Sequence, residues 1–585
     1  MLKIKKLLFQ RKTTYLDFLV VLIITIPSFF SLLNNFYFTM HDDQHIARLF
    51  LLDQGLKQGY LYPRWVDFLG FGFGYPLFNF YPPLVYYVSE IFHLLELSLT
   101  WSIKLTFILG FILAAWGIFL LIKRLLGRSF GFIASVFYTY FFYHAVLIYV
   151  RGALAEFFSL TILPFVFLTF ENLKRDVNFK NSVFFGFTIT LLILTHPLIA
   201  FPSTIYIFLF LAFYLLFQSL ERLKFFAHSL FAGLIGLTLS SFYWIPSMFE
   251  RNLTLVDKIL VKELANYKIH FICFKQFLYS NWGYGGSIPG CNDGMTFQLG
   301  RAHIVILFFS LISFVIYLFY KKLSKEKIYY FIFFMLLFVF SVFMTTSYSS
   351  FIWNNFKYLW YLQFPWRFLT FAGFFISVVG AYGAFLFWSV LKNSLFKKFF
   401  ILAISIFSIF TIWNYGKYFS PQYYIKYEDY ELTGFREISW RVSRTSFEFL
   451  PKSVKTVKSQ LKTTIPKIKP KDISYDVFKI VNGNAVVKKV QNKFQNKSFL
   501  INAENNIVFR LNTFNFPGWK AYLNKNEINI NDDNDFKLIT VSVPKGRHTL
   551  DFIFEETLIR KIADCISIIS LIVLIPGFYF TSSKR

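Results

Sequence analysis

The sequence predicts a polytopic α-helical membrane protein of about twelve spans, carrying an extracytoplasmic β-sandwich-like domain near its C-terminus. Three observations lead there. Of 585 residues, 56% are hydrophobic, with 83 Phe and 35 Tyr, and long apolar runs recur along the chain; a soluble core needs no such runs. Lys and Arg cluster in alternate connections between them, as in cytoplasmic loops. Near the C-terminus the pattern changes to apolar–polar alternation broken by turn residues. The net charge of +28 does not signal nucleic acid, because it lies mainly in those connections and in the C-terminal soluble part.

The chain opens with MLKIKKLLFQRK and an apolar run. That resembles a signal peptide, but no small-residue cleavage site follows, so it reads as an uncleaved first span. A crossing takes roughly 17–25 apolar residues. Such runs lie near 15–33, 103–122, 130–149, 154–171, 182–199, 201–218, 226–247, 302–320, 328–346, 366–390, 398–415 and 562–581. Lys3, Lys5, Lys6, Arg11 and Lys12 precede the first. Lys123, Arg124 and Arg128 follow the second, Lys174, Arg175 and Lys180 the fourth, and Arg222 and Lys224 the sixth. Lys321, Lys322, Lys325 and Lys327 follow the eighth, Lys392, Lys397 and Lys398 the tenth, and Lys584 with Arg585 ends the chain. Every even-numbered connection is basic, which predicts a plasma-membrane protein with both termini in the cytoplasm. The pair flanking Thr195-His196-Pro197 reads as two spans, or as one kinked span with a re-entrant piece. The chain then divides into a transmembrane module (1–415), with outer loops at 34–101 and 248–301, a mainly-β extracytoplasmic domain (416–561) and a final anchor (562–585).

In the first loop, HDDQHIAR packs Asp42, Asp43, His41, His45 and Arg48 into eight residues, in a chain where only 16% are charged. From Asp42 to Gln58 it predicts an amphipathic helix, with Ile46, Leu49, Phe50 and Leu56 on the apolar face. His41, His45 and Arg48, at i, i+4 and i+7, share the other side. GFGFGYPLFNFYPP follows as loop chemistry at headgroup depth. In the second loop, Cys273 and Cys291 are the two cysteines predicted outside. They form a bridge worth roughly 3 kcal/mol in the loop-closure picture or stay as free thiols. In the third segment the Lys-rich stretch 452–471 predicts a flexible connection. Ile507–Leu511, Leu538–Val543 and Thr549–Phe554 predict strands of a small antiparallel sandwich.

Several residues carry chemistry, each with a plainer alternative. Asp42 or Asp43 can serve as a general base that takes a proton from a hydroxyl; one of them can equally cap the helix. His41 and His45 can hold a divalent metal with Asp42 or Asp43, or be ordinary interfacial histidines. Arg151 and Glu156 form either a structural pair or a site in which the guanidinium holds a lipid phosphate. Arg367, in FPWRF, binds phosphate or snorkels to the headgroups. Together the two arginines, at one predicted level on separate spans, make a clamp. His196 and Glu250, at span ends, are further candidates for substrate contact.

HDDQHIAR, YVRGALAEFFS, LTHP, FYWIPSMFE and QFPWRFL, in that order, resemble the membrane-protein family named for a 6-pyruvoyl-tetrahydropterin synthase-related domain. The stretches FPGWKAYLNKNE and VPKGRHTLDFIFEETLIRK resemble the C-terminal part of YfhO-like proteins. Both groups look like GT-C-type glycosyltransferases. The resemblance implies a GT-C-like module using a polyprenyl-phosphate sugar donor, with inverting transfer on the outer face to a glycan, lipid or protein. It puts the first-loop acid on Asp42 or Asp43. The motif Asp-Asp departs from Asp-x-Asp and Glu-x-Asp, which leaves a metal open. A lipid or polysaccharide transporter, with membrane charges along a path, and a non-catalytic cell-envelope assembly factor are the alternatives.

Overall fold

The computed structural model describes residues 2–217, 221–264, 266–320, 324–459 and 463–582. Of the basic residues used above, Lys321, Lys322, Lys584 and Arg585 lie outside them. Among the described residues nine helices are long and apolar enough to cross a membrane, from Thr13–Leu33 to Ser394–Gly416. The pair Arg128–Thr139 and Phe142–Val150, bent by 50°, forms either a tenth, broken span or a re-entrant loop. Phe179–Thr195 is apolar but only 17 residues long, and Leu558–Ser582 forms the last helix. The protein is a polytopic α-helical membrane protein with a strand-rich C-terminal region.

Two predicted spans end earlier than expected. The run 182–199 stops at Thr195. His196 is extended (φ −160°, ψ 96°) because Pro197 disfavours helix before it, and Pro197 then opens the next helix, Pro197–Phe217. The run 226–247 breaks at Ser240 into Arg222–Leu239 and Ser241–Phe249. Ser241 Oγ donates to Ala563 O at 2.8 Å and also bonds Ser567 Oγ, which ties the break to the last helix.

The soluble parts interlock. The strand β1 (Tyr37–Phe38) of the first loop pairs antiparallel with β2 (Tyr424–Ile425) from beyond the helix Ser394–Gly416. The stretch 452–471 is not a bare connection. It contains the antiparallel pair β3 (Thr456–Lys458) and β4 (Thr464–Pro466), fixed where Glu263 accepts from Lys458 Nζ and from Thr464 N and Oγ1. Then follow β5 (Phe478–Asn482), β6 (Ala485–Lys493), β7 (Asn496–Ala503), β8 (Ile507–Phe514), β9 (Trp519–Leu523), β10 (Asn526–Ile528), β11 (Leu538–Val543) and β12 (Gly546–Phe554). They form a five-stranded sheet, order β10-β9-β12-β7-β6, facing a three-stranded sheet, order β11-β8-β5. Alternate residues such as Phe499, Phe509 and Phe552 fill the space between, with Phe509 and Phe552 rings 5.9 Å apart.

The aromatic stretch after the first-loop helix is buried within the protein. Phe71, Phe73, Tyr75 and Phe78 are buried. Phe514 N donates to Phe73 O at 2.8 Å, and fully buried Trp65 packs edge-on against Trp519. These rings dock the sandwich onto the first loop by burying large aromatic area.

Candidate active site

The first-loop helix runs His45–Lys57, shorter than predicted, so His41, Asp42 and Asp43 precede it. It has no solvent face of the kind expected. His45 and Arg48 are as buried as Ile46 and Leu49, because the sandwich, the stretch 437–449 and the membrane helices enclose it. His41 is exposed, and its Nε2 bonds Tyr284 O at 2.9 Å. The three residues therefore do not share one polar side.

What fixes Asp42 is backbone. His41 N donates to Val150 O at 3.0 Å and Asp42 N to Arg151 O at 2.8 Å. Those carbonyls are presented at the end of the π-helical turn Val146–Val150, which closes the bent helix pair; such turns re-aim a chain at functional sites. Gly152 lies at the crossing with φ +63°, and a Cβ there would meet Met40 Sδ at 2.2 Å. Only glycine fits, in conformation and in space. Its carbonyl accepts from His45 Nε2 at 2.5 Å, while Tyr86 OH lies 3.0 Å from Nδ1. A carbonyl only accepts, so Nε2 carries the proton and Nδ1 accepts from Tyr86. Burial, then the charge of Arg48, lowers the His45 pKa to about 4, so the ring is a neutral strut.

The two aspartates differ. Asp43 is ion-paired to Arg441, which also bonds Glu437 one turn away. Asp42 is half-buried, and its carboxylate has no hydrogen-bond or ion-pair partner among the described residues.

Beside Asp42 stands a buried cluster. Arg151 Nη1 donates to Glu156 Oε2 at 2.8 Å and Arg367 Nε to the same oxygen at 3.1 Å. Tyr143 OH donates to Glu156 Oε1 at 2.5 Å. Arg367 Nη1 also reaches Leu362 O and Gln363 Oε1, at 2.7 and 3.1 Å, and Arg151 lies 4.6 Å over the Trp366 ring. Burial disfavours the charge on Arg151, but Glu156, then Tyr143 and Asp42, outweigh it and raise its pKa. Two guanidinium groups against one carboxylate leave a positive charge over. The charges acting on His196 are Arg367, Glu156 and Arg151, and its Nδ1 is buried without a hydrogen-bond partner among the described residues.

The remaining candidates go elsewhere. Arg48 stacks 3.8 Å over Tyr81 and donates to Gln44, Ser446 and Tyr86, a fixed internal brace. Glu250 bonds Arg560, Asn79 and Thr557 in a separate network. Cys273 and Cys291 are joined by a disulfide. Their loop carries Phe297, whose ring lies 5.7 Å from that of Trp366, and Tyr284, which meets His41, so it covers the cluster. Among the described residues no three His, Cys, Asp or Glu form a metal-holding group. Asp42, Asp43 and His45 do not assemble one, since both His45 nitrogens are taken and Asp43 is paired. Sequence reasoning missed Arg441, Tyr143, Trp366 and Glu448. Glu448 lies in the electrostatic reach of Arg48 and Asp42, and burial raises its pKa. Trp366 lies in the FPWRF stretch beside Arg367 but carries no charge to single it out, and the contact of Arg441 with Asp43 spans 398 residues, which no local motif signals.

No family model matches the chain, and no curated protein matches it. Among solved structures, the arabinofuranosyltransferase AftD from Mycobacteria aligns at a TM-score of 0.42 and 11% identity, over 72% of this chain and 28% of that one. A point mutant of AftD aligns at 0.41 and 11%, over 71% of this chain and 28% of that one. The chain thus spans little more than a quarter of the length of the proteins it aligns with.

Proposed function

We propose that the protein is a GT-C-type membrane glycosyltransferase that moves a sugar from a polyprenyl-phosphate donor to an extracytoplasmic acceptor, with inversion. The observation that carries this reading is an unpaired carboxylate, Asp42, bonded through its own backbone to Arg151 of a buried two-arginine cluster. Base and anion-binding groups are then held in one rigid frame. Asp42 takes the proton of an acceptor hydroxyl. The freed oxygen attacks the anomeric carbon as the carbon–oxygen bond to phosphate breaks. The electron pair leaves with polyprenyl phosphate, whose charge Arg151 and Arg367 receive. Fixed donors aimed at developing charge in a site closed to water act more strongly than they would in water. Glu156 is a positioning residue that draws two like charges to one place. Asp43, held by Arg441, anchors the loop to the stretch 437–445. The β-domain holds the acceptor, and the loops, the site and the sandwich lie on the extracytoplasmic face with both termini inside.

The test is turnover by the purified protein of a panel of polyprenyl-phosphate sugars, following release of polyprenyl phosphate. The expected result is turnover of one donor, lost in Asp42→Asn and retained in part in Asp43→Asn. Equal turnover in wild type and Asp42→Asn sinks the assignment of the base. Failure of every donor to bind turns the weight to a transporter or an assembly factor.

A further inference from the structure

The loop closed by Cys273 and Cys291 sits on the ends of two membrane helices. Leu299 N, two residues before the helix Arg301–Phe319, donates to Phe277 O at 3.0 Å. Ile272 N donates at 2.9 Å to the carbonyl of Thr345, which directly follows the helix Lys325–Met344. The two helices have 19 and 20 residues and are apolar along their length. At the helical rise they run about 28–30 Å, the thickness of the hydrocarbon, so their ends lie at its boundary. Residues 272–277 are fixed at that level.

There the loop turns apolar side chains outward. In the short helix Phe274–Leu278, Gln276 and Phe277 are buried, while Phe274 (68% exposed) and Leu278 share the other side one turn apart, followed by exposed Tyr279. The stretch after Thr345 does the same. Its short helix Ser350–Asn355 buries Trp353 against Tyr267, with the rings stacked 5.4 Å apart, and against Phe271 at 6.1 Å, which joins it to the loop. It exposes Phe351 (59%), and Phe356 and Tyr358 follow. Single apolar side chains on a surface need no explanation, but six large ones on two packed segments do. Lys275 and Lys357 stand exposed among them, placed to reach lipid headgroups. Aromatic rings with cations beside them, at the ends of membrane helices, suit a membrane–water interface. The helices themselves continue the apolar surface, with Val305 and Phe308 exposed on the first and Val339 on the second, within two turns of these ends.

We propose that Phe274, Leu278 and Tyr279, with Phe351, Phe356 and Tyr358, dip into the lipid leaflet at this end, so that the disulfide loop is held by the bilayer as well as by the protein. The partner of this surface is the lipid interface. Phe297 of the same loop lies on Trp366, so the cover of the Arg151–Glu156–Arg367 cluster is moored in lipid. The inference rests on the membrane helices and not on the transferase reading.

The experiment uses the full chain in phosphatidylcholine nanodiscs. 4-Trifluoromethylphenylalanine replaces Phe274 or Phe351, one site at a time. Its fluorine relaxation is read with 5-doxyl phosphatidylcholine in the disc, or with a gadolinium chelate in the water. Phe308, on a membrane helix, and Val486, exposed on the sandwich strand β6, carry the same label as the lipid and water references. At both loop positions relaxation by the doxyl lipid is expected to exceed that by the chelate by about threefold or more, as at Phe308 and opposite to Val486. Relaxation chiefly by the chelate at either position puts the surface in water and overturns the proposal. Shielding from both agents puts it under protein, a second copy or a partner, and overturns it as well.

Discussion

Two buried networks in this protein are each built on a pair of arginines, and they are finished differently. In one, Arg64 pairs with Glu556 at 3.0 Å and Asp564 at 2.7 Å, and Arg560 with Glu250 at 2.8 Å. Glu250 also accepts from Asn79 and Thr557. Every carboxylate there has a cationic partner, and the network straps the first loop and the helix Ser241–Phe249 to the last helix. In the other, Arg151 and Arg367 share the carboxylate of Glu156, and Asp42, bonded through its backbone to Arg151, has no ion-pair partner among the described residues. The first network gives every charged group an opposite partner, whereas the second leaves the Asp42 carboxylate without one among the described residues. That difference is what the proposed reaction needs, since a base must be free to take a proton.

Breaking each network should separate the two. The largest effect expected is on rate: Asp42→Asn should lower transfer by about 10²–10⁴-fold, the usual worth of a positioned base, with no change in melting temperature. Glu250→Gln should do the reverse. It leaves the buried Arg560 without its partner, which costs roughly 3–5 kcal/mol, and activity should fall only in proportion to the folded fraction in a detergent melt. If Asp42→Asn melts early or Glu250→Gln loses rate at full stability, the contrast fails. Glu156→Gln tests whether the site also bears structure. With two buried guanidinium groups left facing each other, both rate and melting temperature should drop, and Arg367→Met added to it should recover melting temperature but not rate.

The membrane helices and the sandwich were legible because their signals are periodic and local. Apolar runs set the first and strand alternation the second. The candidate site was legible only as isolated charges. Asp42, Arg151, Glu156 and Arg367 stand out in an apolar chain, and the structure joins Arg151, Glu156 and Arg367 in one cluster with Asp42 bonded to Arg151 through its backbone. The environment of each was not legible. His45 and Arg48 have helical spacing that suits a wet face, yet the stretch 437–449 comes back over them, and no residue near position 45 announces that. The same return supplies Arg441 to Asp43, 398 residues along the chain. Ser240 looks like any polar residue in an apolar run, and only the last helix shows why the chain breaks there.

A smaller effect should come from the loop that covers the cluster. Cys273→Ser/Cys291→Ser releases an 18-residue closure, worth roughly 3 kcal/mol in the chain-entropy picture. The loss should fall on the loop, since Phe297 and Tyr284 seat it on Trp366 and His41. Faster proteolysis within 273–291 and a raised KM, with the melting of the membrane helices unchanged, is the expected pattern. Loss of the whole fold would mean that the loop is a keystone of the module and not a cover.

The smallest effect expected is a pH dependence that sets the neutral strut of the site apart from its charges. His45 is held at about 4, below the ordinary value of 6.5. Between these values the unfolded chain takes a proton there that the folded protein refuses, so unfolding binds protons and stability rises with pH. The contribution is complete above about pH 6.5 and is lost as pH falls toward 4. The strut also sets Gly152 and thereby the Asp42–Arg151 contact, so acid should loosen the site before it unfolds the helices. Melting temperature measured from pH 7.5 to 4.5 should fall more steeply in wild type than in His45→Gln, whose amide can still donate to Gly152 O but does not titrate. Identical slopes in the two proteins would mean that the acid sensitivity belongs to other groups, and that His45 holds the turn by shape alone.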